Sequence, residues 1–109
     1  MASKEILYYQ TSDGKTPYEE WFKNLKDIKG KTIIAARLDR FEAGNPGKYR
    51  TVGGGVYELK IYFGPGYRIY FGEDGKTLII LLCGGDKSVQ SKDIEKAQKY
   101  WNDYLRRKT

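Results

Sequence analysis

The chain contains no histidine and one cysteine, Cys83, in 109 residues. Without imidazole there is no Ser-His or Cys-His pair and little scope for a transition-metal site. A lone thiol excludes both a disulfide framework and a cysteine-held zinc. Cys83 lies in an apolar run, where a thiol is expected to be an inert core group. No apolar stretch approaches the about 18 residues of a membrane-spanning helix, and no basic-then-apolar leader opens the chain. A soluble, cytoplasmic protein that needs no cofactor or metal is expected, with no membrane partner.

Positive charge is plentiful. Lysine and arginine number 20 against 14 acidic residues, a net charge of +6 with a pI near 9.3. That balance suits an acidic partner such as nucleic acid, an anionic surface or an acidic protein. A mildly basic surface that only maintains solubility is the alternative. The length fits one domain, residues 1–109, able to bury about two thirds of the unfolded chain's surface.

The stretch Val56–Lys87 predicts three consecutive antiparallel strands. Tyr57, Leu59, Ile61 and Phe63 alternate with Glu58, Lys60 and Tyr62; Tyr67, Ile69 and Phe71 alternate with Arg68 and Tyr70. A three-residue Gly64-Pro65-Gly66 loop would pair Phe63 with Tyr67, set Tyr62 against Arg68 and Lys60 against Tyr70, and keep the apolar residues on one face. Asp74-Gly75 marks a second tight turn. Leu78, Ile80 and Leu82 are then expected to join the same core face, on a strand covered from both sides because Ile79, Leu81 and Cys83 are apolar too.

Around this sheet, Glu5–Gln10 reads as a strand inside it. Thr16-Pro17-Tyr18-Glu19 predicts a capped helix start, with Glu19 closing the capping box. Tyr18, Trp21, Phe22 and Leu25 form its apolar stripe. Asp27–Gly30 is expected to break that helix before a second, Thr32–Ala43, ending at Gly44 with Ile33, Ile34, Leu38 and Phe41 inward and Arg37 outward. The two form a hairpin on one sheet face. Residues 45–55 are turn-rich, with a short strand at Tyr49–Val52 and a flexible connection at Gly53–Gly55. These glycines open a strand instead of a helix, which argues against a phosphate loop. Ser91 is expected to cap a last helix, Lys92–Arg107, with Ile94, Ala97, Trp101, Tyr104 and Leu105 apolar.

The other sheet face carries the chemistry. Lys60, Arg68, Tyr70 and Lys87, with Lys48 and Arg50, are expected to converge on a concave surface that binds phosphates, while Tyr62 and Tyr70 offer rings for unpaired bases. The reaction open to such a set is RNA cleavage with the RNA's own 2′-hydroxyl as nucleophile. Arg68 would stabilise the transferring phosphate, and Lys60 or Lys87 would move the proton. Alternatively, Lys60 and Arg68 only solvate an exposed face, paired with Glu58 and Glu73.

The segments ELKIYFGPGYRIYF and LIILLCGGDKSVQSKDIEKA resemble the RelE/ParE superfamily of type II toxins. The likeness is greatest to the HigB-like, addiction-module killer branch related to phage Gp49-like proteins, and it spans nearly the whole chain. It implies an α+β fold, an antiparallel or mixed sheet with an N-terminal helix hairpin on one face and a C-terminal helix. It also implies a ribosome-dependent mRNA endoribonuclease and a cognate antitoxin, a small helix-turn-helix protein that covers the basic face or displaces the C-terminal helix. Arg68 matches the strand position of these toxins' essential arginine, Lys60 the basic position one strand earlier, and Lys87 the exit of the last strand. Several relatives carry His or Tyr at that exit, where this chain has Gly84-Gly85-Asp86-Lys87. The superfamily also contains gyrase inhibitors, so a gyrase-directed toxin or a non-catalytic basic module stands as the alternative.

Overall fold

A computed structural model describes residues 3–108; Met1, Ala2 and Thr109 lie outside the described residues. The chain runs β1 (Glu5–Tyr8), α1 (Pro17–Asn24), α2 (Ile28–Glu42), β2 (Tyr49–Gly53), β3 (Val56–Lys60), β4 (Arg68–Asp74) and β5 (Leu78–Gly85). A single 3-10 turn at Lys87–Val89 leads into α3 (Gln90–Lys108). The strands form one mixed sheet in the order β1-β5-β4-β3-β2, antiparallel except that β1 runs parallel to β5.

Two hydrophobic layers hold this α+β arrangement. Leu59, Ile61, Ile69, Phe71, Ile79 and Leu81 pack against Tyr18, Ile34 and Phe41 of the α1–α2 hairpin. On the opposite face Val56, Tyr70, Ile80, Leu82 and Cys83 pack against Ala97 and Trp101 of α3. The helix hairpin thus lies where the apolar alternation put it. The second face, read as an open surface, is covered along much of its length by α3. Burial raises the Cys83 thiol to about 12, in keeping with an inert core group.

Register differs from the sequence reading in two places. Lys60 pairs with Arg68 and Glu58 with Tyr70, and the Ile61 N–H donates to the Tyr67 carbonyl at 2.8 Å. The Gly64-Pro65-Gly66 turn therefore sits inside a wider loop. Lys60 faces Arg68, not Tyr70, and Phe63 does not pair with Tyr67. The slide is an even number of residues, so every side chain keeps its expected face. In the second hairpin Asp74 pairs with Leu78 across a three-residue connection. That odd change turns β5 over: Ile79 and Leu81 meet the helix hairpin, while Leu78, Ile80 and Leu82 meet α3.

The strand expected inside the sheet, β1, is an edge strand; Leu7 and Tyr8 remain nearly half exposed. Three helix starts also differ in detail. Both acidic residues reach back to Thr16: its hydroxyl donates to the Glu19 carboxylate at 3.2 Å, while its N–H, the donor of the expected capping box, goes to Glu20 at 3.2 Å. Asp27 caps α2 by accepting from the Gly30 N–H at 2.9 Å, which begins the helix at Ile28 instead of Thr32. Asp86 accepts from the Ser88 N–H at 2.9 Å and opens the turn into α3, leaving Ser91 inside the helix.

The triple glycine is not a loose connection. Its residues all have positive φ, and a side chain at Gly55 would meet Trp101 Nε1. These are backbone shapes that L side chains rarely adopt, and they let β2 turn into β3 beneath the indole.

Candidate functional site

At the β2–β3 end of the sheet, cross-strand pairing stacks charges in rows. One row runs Arg50, Glu58, Tyr70; the next runs Lys60, Arg68 and Gly85. Lys60 and Arg68 are like charges directly opposite one another, an unfavourable pair by itself. Glu58 offsets it. Its carboxylate accepts from Arg50 Nε at 2.9 Å and from Gln90 Nε2 of α3 at 2.8 Å, and its Oε2 lies 3.7 Å from Arg68 Nε. Burial alone would raise the Glu58 carboxyl, but hydrogen bonds from Arg50 and Gln90 outweigh it and hold the group below its ordinary value.

Arg68 lies on the side of the sheet opposite the helix hairpin, as expected, but it is only 5 % exposed. Its Nη1 donates to the Gly66 carbonyl at 2.6 Å, and its Nε has no acceptor within hydrogen-bonding distance. Lys87 is exposed and close by: a Cβ placed on Gly66 would sit 3.2 Å from Arg68 Nη1 and 3.9 Å from Lys87 Cβ. The Arg68 guanidinium and the Lys87 stem thus flank one turn of the β3–β4 loop.

The open part of the site is a concavity of about 250 Å³ lined by Lys48, Tyr49, Arg50, Glu58, Lys60 and Tyr62. Tyr62 is 76 % exposed, and Lys60 Nζ sits 4.9 Å from the centre of its ring. This cation–π contact fixes the ammonium beside an available aromatic face. A second hollow of about 240 Å³ shares Lys48 and Tyr62 and adds Arg37, Arg40 and Asn45. Four of the expected residues, Lys48, Arg50, Lys60 and Tyr62, are therefore brought together; Arg68 and Lys87 adjoin them across the β3–β4 hairpin.

Tyr70 does not belong to that surface. Its ring is fully buried under α3 beside Glu58, and the expectation that it stacks on a base is corrected accordingly. Burial and the Glu58 charge push its phenol far above the usual range.

Two positioning groups escaped the sequence reading. Arg37, expected outward, donates to the Pro46, Lys60 and Lys48 carbonyls at 2.8, 3.1 and 2.7 Å. One guanidinium on α2 thereby ties the loop bearing Lys48 to the end of β3 bearing Lys60. Its place on the polar side of an amphipathic helix gave no hint of this. Gln90 was missed because the helix start was set too late. Glu58 was legible as a partner of Arg68, but its stronger bond to Arg50 and its tie to Gln90 were not.

A sequence profile of phage-derived Gp49-like proteins matches residues 20–102. An uncharacterised protein of Haemophilus influenzae is 44 % identical over 81 residues, covering 74 % of this chain and 82 % of that protein. Both alignments include the β3–β4 hairpin only in so far as they span the middle of the chain; in the profile's case the matched range also takes in α2, with Arg37, and the start of α3, with Gln90.

Proposed function

Since the chain belongs to the Gp49-like family of phage-derived proteins, a group of RelE-like addiction-module toxins, we propose that it is a toxin of the HigB-like kind that cleaves mRNA on the ribosome. A cognate antitoxin, a small helix-turn-helix protein, would hold it in check by covering the basic face. The supporting observation is the convergence of Lys48, Arg50 and Lys60 around one open hollow beside the exposed ring of Tyr62. Cations that track a backbone and a ring that receives a base are the two parts of a single-strand site.

In this reading the RNA backbone crosses Lys48 and Lys60 and a base stacks on Tyr62. The 2′-oxygen attacks the adjacent phosphorus, the bond to the 5′-oxygen breaks, and a 2′,3′-cyclic phosphate forms. The proton lost from the 2′-hydroxyl leaves to a base and another is delivered to the departing 5′-oxygen. Lys60 and Lys87 would exchange those protons, and Arg68, opposite Lys60 on β4, would supply charge from beneath. Most of the rate enhancement then comes from orientation and electrostatic stabilisation.

The test is a ribosome-programmed cleavage assay. Lys60→Ala is expected to lower the cleavage rate at least about a hundredfold, the scale of one lost electrostatic contact, with an unchanged melting temperature. Full activity in Lys60→Ala, or intact transcripts beside broken DNA on induction, would reject the ribonuclease reading; the second result would favour a gyrase-directed toxin. Arg68→Ala is the poorer probe, because the buried side chain leaves a cavity beside Glu58 and its loss perturbs folding as well.

A further inference from the structure

A separate cleft opens on the other edge of β5. Strand β1 ends at Tyr8 opposite Leu81, so among the described residues no strand runs alongside Leu82–Gly85 on that edge. Trp21 of α1 and Asp93 of α3 close over this backbone and leave a hollow of about 370 Å³, with Lys92 and Lys96 at its rim. Two glycines permit the approach: a side chain at Gly84 would collide with the Trp21 indole, and one at Gly85 would collide with Asp93 Oδ2.

Asp93 is 8 % exposed, and its Oδ2 has no hydrogen-bond partner. A buried carboxylate oxygen without a donor is unfavourable; Oδ2 is enclosed over Gly85 as it stands, so a ligand that brings N–H groups meets it by drawing the side chain toward the cleft that Asp93 lines. Lys92 and Lys96 stand one helical turn apart, and neither forms an ion pair with Asp93. They favour an anionic group on the ligand at the α3 side of the rim; Asp86, which also lines the cleft, is occupied by the Ser88 N–H and hydroxyl. The indole adds a flat apolar wall.

We infer that this cleft binds a guanine nucleotide, with Asp93 accepting from the Watson–Crick edge of the base and Lys92 and Lys96 holding the phosphate. Guanine alone among the RNA bases sets two N–H donors, N1–H and N2–H, side by side on that edge; adenine and cytosine place an acceptor next to the donor, and uracil has a single donor between two acceptors. A guanidinium from a protein would also match Asp93, but it would have to pass two lysines. The inference rests on the RNA-directed reading only for the origin of the nucleotide. Gly85, in the floor of the cleft, is the cross-strand partner of Arg68, about 4.8 Å away at strand spacing. A guanosine next to a phosphate gripped at Arg68 and Lys87 would reach the cleft, giving the cleavage a base preference.

The full chain is titrated with 5′-GMP, 5′-IMP, 5′-AMP and inorganic phosphate while the Trp21 indole N–H resonance is followed. GMP is expected to saturate the site. IMP, which lacks the 2-amino donor, is expected to bind about tenfold more weakly, with AMP and phosphate weaker still. Asp93→Asn presents one donor and one acceptor, the complement of the adenine edge, and is expected to move the preference from GMP toward AMP. Equal binding of GMP and IMP overturns the inference, as does phosphate competing as well as GMP, or an arginine amide binding in its place. The GMP-to-IMP ratio is read on the natural chain, so the decision stands even if Asp93→Asn does not fold. RNA cleavage without guanine discrimination would remove this inference alone. Guanine discrimination without RNA cleavage would remove the proposed function alone.

Discussion

Two buried carboxyl groups, Glu58 on β3 and Asp93 on α3, are shifted in opposite directions. Burial acts on both as the largest influence. Glu58 receives hydrogen bonds from Arg50 and Gln90 and ends below its ordinary value; Asp93 has an unpartnered oxygen and ends above it, with Lys96 opposing the rise and Asp86 adding to it. Their contributions to stability therefore carry opposite signs against pH. The folded Glu58 binds its proton less readily than the unfolded chain does, so its contribution is present above the normal carboxylate range and is lost as pH falls through its depressed value. The folded Asp93 holds its proton more readily, so stability falls as pH rises from the normal carboxylate range through its raised value. Glu58→Gln is expected to destabilise the protein by about 3 kcal/mol at neutral pH, because it strands a buried guanidinium, and the deficit should shrink in acid. Asp93→Asn should stabilise it at neutral pH and make no difference in acid. Thermal unfolding of the three proteins across pH checks both; parallel curves would contradict the assigned surroundings.

Legibility in the sequence varied from element to element for physical reasons. Strands β3 and β4 alternate polar and apolar residues, so a wrong face would bury Lys60 or Arg68 against the helix hairpin, and their faces could be read even with the register two residues out. In β5 every residue from Leu78 to Cys83 is apolar; either phase is dry, and the sequence holds no information with which to choose. The same blindness hid α3's position, because the apolar side of β5 could not be assigned to it. Helix starts failed where two capping residues competed, as Asp86 and Ser91 did. Of the candidate site, Arg50 and Lys60 were legible from type and strand position, and Lys48 and Tyr62, which lie just outside β2 and β3, from type alone. Arg37's three carbonyl bonds and the burial of Tyr70 depend on tertiary packing and were not. The contact of α3 with the sheet makes its own prediction: the Trp101 indole lies flat on Gly72, which has no room for a Cβ. Gly72→Ala should destabilise the fold by about 1–3 kcal/mol through overpacking, measurable as a lower denaturant midpoint. A neutral result would mean that α3 packs less closely than described.

At the scale of the molecule, the +6 charge is not spread evenly in effect. Beside β1, where the Tyr9 hydroxyl donates to Asp103, Asp103 pairs with Arg106 and Arg107, and Asp74 with Lys108, so those cations are largely answered. Around Tyr62, by contrast, Lys48, Lys60 and Arg40 have no ion pair among the described residues. If about three phosphates are neutralised there, the logarithm of the affinity for single-stranded RNA should fall with the logarithm of salt concentration with a slope near −2. Lys60→Ala should flatten that slope by about 0.7, and filter binding over a salt series would measure it; an unchanged slope would place the RNA elsewhere. The parallel seam between β1 and β5 bears on when such binding can begin. Glu5 is made early but has no mate until Leu78 is synthesised, and closing so long a loop is entropically slow. Gly85 and Gln90, which complete the surroundings of Arg68, come later still. The surroundings of Arg68 are thus completed only after β5 and the start of α3 have been made, and a chain cut short of Gln90 would lack the proposed grip on RNA.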